Sequence, residues 1–142
     1  FTVGGNFTYV VSEVNVTPFE YEFGRNETRQ LAGQSPYIMN FDISYNNDRT
    51  GTIVSLFYNI FGPRLAVVGS SSPARPNAFE QPVGTLDLTI SQSLSDHWKL
   101  KFSAKNLLDP TVDVTQEFGG QEYIYSSYKR GRSFGMSLSY DF

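Results

Sequence analysis

Apolar side chains recur at every second position in run after run of this chain. That period restricts it to strands with two unlike faces, because successive strand side chains point to opposite sides of a sheet. The end is the clearest case: Phe134, Met136, Leu138, Tyr140 and Phe142 alternate with Ser133, Gly135, Ser137, Ser139 and Asp141. Trp98, Leu100, Phe102 and Ala104 alternate with Lys99, Lys101, Ser103 and Lys105, and Leu86, Leu88 and Ile90 with Thr85, Asp87, Thr89 and Ser91. A helix would scatter each of these sets around its axis.

Short polar segments join some runs and long ones join others. Leu94 to His97 reads as a hairpin turn, as does Asn46-Asn47-Asp48 between Tyr37, Met39, Phe41, Ile43, Tyr45 and Thr52, Val54, Leu56, Tyr58, Ile60. The other face of that second hairpin carries Asn40, Asp42, Ser44, Ser55 and Asn59. Thr17 to Ser35 and the Ser- and Pro-rich Gly69 to Pro82 read as long loops, and a further loop is expected around Gly119. The alternation predicts about six strands, at roughly 1–16, 34–46, 50–68, 82–93, 98–117 and 122–142.

Alternating short and long connections are the asymmetry of a transmembrane β-barrel, with short turns on one rim and longer loops on the other. The fold class expected is therefore all-β: an antiparallel transmembrane β-barrel. The average properties neither require nor oppose this. The chain has 142 residues, 39% hydrophobic, with a mean hydropathy of −0.30. No stretch reaches the ~18 apolar residues of a membrane helix, whereas a barrel strand needs only ~9–11 residues with one apolar face. The 12 Phe and 9 Tyr favour strands and interfaces. Tyr37, Tyr45, Tyr58 and Trp98, with Tyr140 and Phe142, fall near strand ends, where membrane-interface aromatics belong. If Phe142 is periplasmic, the turns near Asn47 and Asp96 are periplasmic too, and the loops around Arg25, Ser72 and Gly119 face outside. Strands near 20 residues would project beyond the bilayer as a collar containing Tyr123 to Arg132 (~9–11 residues cross it).

Six strands cannot close a barrel, because closed barrels of this class begin at about eight. The start in mid-strand at Phe1, with no signal peptide, leads us to expect a piece of a longer protein.

Several segments resemble the C-terminal region of TonB-dependent outer-membrane receptors of the Bacteroidetes type. They are Gly33-Gln34-Ser35-Pro36-Tyr37, Tyr58-Asn59 with Phe61-Gly62-Pro63-Arg64, and Leu86-Asp87-Leu88-Thr89 leading to Ser95-Asp96. They continue with Lys105-Asn106-Leu107-Leu108-Asp109-Pro110, Ser126 to Arg132, and Leu138-Ser139-Tyr140-Asp141-Phe142. The resemblance covers nearly the whole chain. It implies that residues 1–142 form the last strands of a barrel of about 22 strands filled by an N-terminal plug domain. It also implies an outer-membrane location with a periplasmic C-terminus, and import of a nutrient driven by TonB through an N-terminal region not in this sequence. The expected partners are outer-membrane lipid, the rest of the barrel with its plug, TonB and the barrel-assembly machinery. A surface lipoprotein is left open, as is the substrate. Phe134, Met136, Leu138, Tyr140 and Phe142 resemble the β-signal read by that machinery, through pairing at an exposed edge.

Little points to catalysis, and the chain is not expected to be an enzyme or to carry a cofactor or metal. His97 is the only histidine, in a turn beside Asp96, and there is no cysteine. The net charge of −3 and pI near 5.0 argue against nucleic acid as a partner. Three Asn-x-Thr triplets, at Asn6, Asn15 and Asn26, read as chance occurrences. Lys99, Lys101 and Lys105 form a one-sided ladder that in a barrel points to the lumen together with Asp87. They either bind an anionic substrate or the plug, or pair with carboxylates such as Asp87 across the hairpin. Alternation alone also fits another function, a non-transport surface barrel or soluble β-sandwich acting as adhesin, scaffold or partner-binding module.

Overall fold

The computed structural model describes residues 1–15, 28–71 and 74–142; the expected loop centres Arg25 and Ser72 and the triplet at Asn26 lie outside them. All regular structure described is strand. The elements are β1 (Thr2–Tyr9), β2 (Val14–Asn15), β3 (Thr28–Arg29), β4 (Tyr37–Asn47), β5 (Thr52–Phe61), β6 (Arg64–Val67) and β7 (Ser70–Ser71). Then follow β8 (Ala74–Arg75), β9 (Ala78–Glu80), β10 (Gly84–Ser93), β11 (Trp98–Lys105), β12 (Thr111–Phe118), β13 (Gln121–Lys129) and β14 (Ser133–Tyr140).

Six strands form one antiparallel sheet in the order β1-β4-β5-β10-β11-β14. The sheet is open, with β1 and β14 as its two edges, so the described residues contain no closed barrel. A second sheet, of four strands, has the order β6-β9-β12-β13. Each of its strands adjoins in sequence a strand of the first sheet, and the four partners β5, β10, β11 and β14 stand in the same order. The second sheet therefore prolongs the first past a common line of breaks.

Those breaks correct the expected long strands, because 50–68, 98–117 and 122–142 are each two strand pieces. Pro63 can give no N–H to a ladder, so β5 ends at Phe61. The β11 break holds Asn106 at φ 55 and Asp109 at φ 46, left-handed values that Asn and Asp tolerate best among side-chain-bearing residues. The run Gly69 to Pro82, expected as a loop, contains β7, β8 and β9. Around Gly119 the chain turns in two residues rather than looping: Gly119 and Gly120 have φ of 61 and 75, as a two-residue turn with both central residues at positive φ requires.

Burial concentrates at the line of breaks. Leu65, Ala78, Val83, Ala104, Val112 and Val114 are the buried apolar residues, and all lie within or beside it. Backbone bonds cross it too, from Leu107 N–H to Leu86 C=O (2.8 Å) and from Gln81 N–H to Asp113 C=O (2.8 Å).

Candidate functional site

Strand register decides which side chains share a face of the six-stranded sheet. Tyr45 pairs with Val54, Val54 with Ile90, Ile90 with Phe102, and Phe102 with Met136. Val3, Phe7 and Tyr9 join through Ile43, Met39 and Tyr37. All the apolar runs of the sequence thus fall on one face, continuous over six strands. Ala104 is the only residue with a side chain on it that is fully buried; Met136 is 77% exposed and Leu138 56%.

At ~4.8 Å between strands and ~3.3 Å per residue, this face measures roughly 29 by 27 Å, or about 800 Å². The largest apolar patch on a soluble monomer is typically ~300–600 Å².

Aromatic side chains bound this face at both ends. At the turn end Trp98 lies 4.9 Å from Tyr140, and Tyr140 lies 5.2 Å edge-on to Phe142. Phe1 packs 5.0 Å from Tyr45. His97 stacks on Tyr140 at 5.7 Å. At the other end Tyr9 and Tyr37 are paired. There Tyr37 lies over Gly62, whose added Cβ would come within 2.7 Å of the ring, and Tyr58 lies over Gly84. Between the two groups the side chains are aliphatic, Phe or Met, apart from Gln92, which accepts from Thr52 at 2.7 Å near the turn end. The turn after β4, the turn after β10 and the C-terminus share one end: Ser93 N–H donates to Gly51 C=O (2.9 Å) and Asp141 N–H to His97 C=O (2.9 Å). All three long connections leave the opposite end.

The second face is mostly polar. Asn59 donates to Asn40 and Asn40 to Asn6 (2.8 Å), forming an amide ladder over three strands, and Ser44 donates to Ser55 at 2.9 Å. Ile38, Ile53, Phe57 and Phe61 also lie on this face, for which the sequence reading named only polar residues. Lys99, Lys101 and Lys105 stand there in line on β11, flanked by Ser93 and Ser91 on β10 and by Ser139, Ser137 and Ser133 on β14.

Asp87 shares the face, but the expected lysine pairing is absent. Its carboxylate accepts the Asn106 N–H at 2.8 Å where β11 ends, and none of the three described ion pairs includes these lysines.

Sequence reasoning missed a polar junction at the breaks. Glu80 is 7% exposed and takes two donors of Arg64, with Nη2 at 2.8 Å from Oε1 and Nε at 3.1 Å from Oε2. Arg130 adds a third contact at 3.3 Å, and the Arg64 guanidinium lies 4.5 Å above Phe61. Lys129 reaches Asp109 at 3.7 Å, and Asp109 accepts the Gly131 N–H at 3.1 Å. The only available signal was that Arg64, Glu80 and Arg130 each lie within two residues of a Gly or Pro break.

Beyond the junction, the four-stranded sheet carries hollows on both faces. One, of about 750 Å³, is lined by Pro63, Phe79, Thr115, Glu117 and Glu122; the other, of about 400 Å³, by Val67, Gln116, Phe118 and Tyr125. Among the described residues no three His, Cys, Asp or Glu gather as a metal site, and no helix is long and apolar enough to cross a membrane. Compared with family models, curated proteins and solved structures, the chain matches none of them.

Proposed function

We propose that this chain is a C-terminal segment of an outer-membrane β-barrel, belonging to a TonB-dependent importer of a nutrient. The observation that carries the membrane reading is the six-strand apolar face, bounded by aromatics at both ends and backed by a polar face. Lipid is the environment that meets such a face without a second protein layer. The open edges β1 and β14 then pair with the remaining strands of the barrel. With the C-terminus periplasmic, the short turns are periplasmic and the four-stranded sheet stands outside. Its hollows there offer surfaces for ligand capture. The importer assignment rests on the resemblance of the sequence segments, and the apolar strand ending at Phe142 serves barrel assembly in this reading.

Two experiments test the proposal. Fractionation of the native protein should place it in the outer membrane and require detergent for solubility; a protein soluble and monomeric without detergent sinks the membrane reading. In growth comparisons on scarce nutrients, loss of the protein should match loss of TonB for at least one nutrient. Uptake that persists without TonB overturns the importer.

A further inference from the structure

Every charged side chain needs a partner or water, and the polar face deals with its charges in two ways. Asp87 is engaged by the Asn106 N–H. Lys99, Lys101 and Lys105 are all exposed and belong to none of the described ion pairs. Their cross-strand neighbours Ser91, Ser93, Ser133, Ser137 and Ser139 are short and neutral, so the ammonium groups stand above their surroundings. Like charges in line on one strand repel, and the nearest carboxylate on the face, Asp87 beside Lys105, makes no ion pair with them.

We propose that Lys99, Lys101 and Lys105 form a docking strip for an extended acidic protein segment. Two observations favour a segment over a small anion. The strip runs over seven residues of β11, about 20 Å at ~3.3 Å per residue, and its charges at 99, 101 and 105, with Ser103 between, fall at positions that alternate side chains of an extended chain can reach. It is also open: all three lysines are exposed, and they line neither hollow of the four-stranded sheet nor the one beside Tyr9 and Ser35. Small solutes bind in concave sites that enclose most of their surface. The serine columns leave room for a second backbone, and Gly135 beside Ser103 keeps the floor low there. The strip depends only on strand register, so it stands whether or not the opposite face meets lipid.

The test measures binding of a fluorescent peptide of alternating Glu and Ser to the full-length protein in detergent micelles. Exposed charge pairs each contribute roughly 1.5- to 5-fold to a binding equilibrium. The triple variant K99Q/K101Q/K105Q should therefore weaken binding on the order of ten-fold. K99R/K101R/K105R should restore it, and raising salt should weaken it in the native and Arg proteins but not in the Gln variant. Equal binding by the Gln variant overturns the proposal, as does absence of binding. Citrate competing at the same concentration as the peptide would also overturn it, by making the strip a small-anion site.

Discussion

Glu80 is the residue whose loss should weaken the break line most. Its side chain is 9% exposed, and its carboxylate holds side chains from two other strand ends, Arg64 (30% exposed) and Arg130 (45%). Removing one member of a fully buried pair costs ~3–5 kcal/mol, whereas an exposed pair contributes ~0.2–1 kcal/mol. With the acid buried and both arginines partly hydrated, Glu80→Gln should cost about 2 kcal/mol, a shift of up to ~30-fold in the folding equilibrium. Trp98, the single tryptophan, reports unfolding in a urea titration of the micelle-bound protein. Hydrogen exchange at Leu65, Ala78 and Val112 reports local opening of the breaks. Combining Glu80→Gln with Arg64→Gln should give a loss smaller than the sum of the two, by about 1 kcal/mol. A Glu80→Gln protein within ~0.5 kcal/mol of the native one, or strict additivity, would refute the junction's role.

Neighbouring residues on opposite faces should respond unequally: Leu88→Arg should cost ~2–4 kcal/mol in a bilayer refolding titration, and Thr89→Arg much less. Gly84→Ala should destabilise by ~1–3 kcal/mol in the same titration, because the new methyl group displaces the Tyr58 ring. At the β12–β13 turn, replacing Gly119 and Gly120 together by Ala should cost ~1–2 kcal/mol for each residue. Gly119→Asn should be nearly neutral, which thermal melts of the two variants compare directly.

The division of side chains between two faces was legible because it follows from backbone geometry. Once Phe102 and Leu88 lie on strands, their alternate neighbours must share their face and their adjacent neighbours must take the other. The turns were legible from their polar residues, although Asn46 and Asn47, read as turn residues, belong to β4 and the first turn lies at 48–51. The break at Gly62-Pro63 was not, because Tyr58 and Ile60 before it and Leu65 and Val67 after it keep apolar residues at alternate positions. The Glu80 junction was hidden for another reason. Glu80 and Arg130 are 50 residues apart, and only the stagger of four strands brings them together. Asp87 misled because cross-strand reasoning considers side-chain pairs, while the main chain of Asn106, freed from the ladder at φ 55, took the carboxylate instead.

The central claim is that one face of the six-stranded sheet meets lipid and the other meets water. Because the chain has no cysteine, single cysteines at Leu56, Leu88 and Leu138 and at Ser55, Thr89 and Ser137 can each carry a spin label in the bilayer-embedded protein. Labels at 56, 88 and 138 should relax with dissolved oxygen and be shielded from a water-soluble nickel chelate, and those at 55, 89 and 137 should do the reverse. Equal access of the chelate to both sets would contradict the claim.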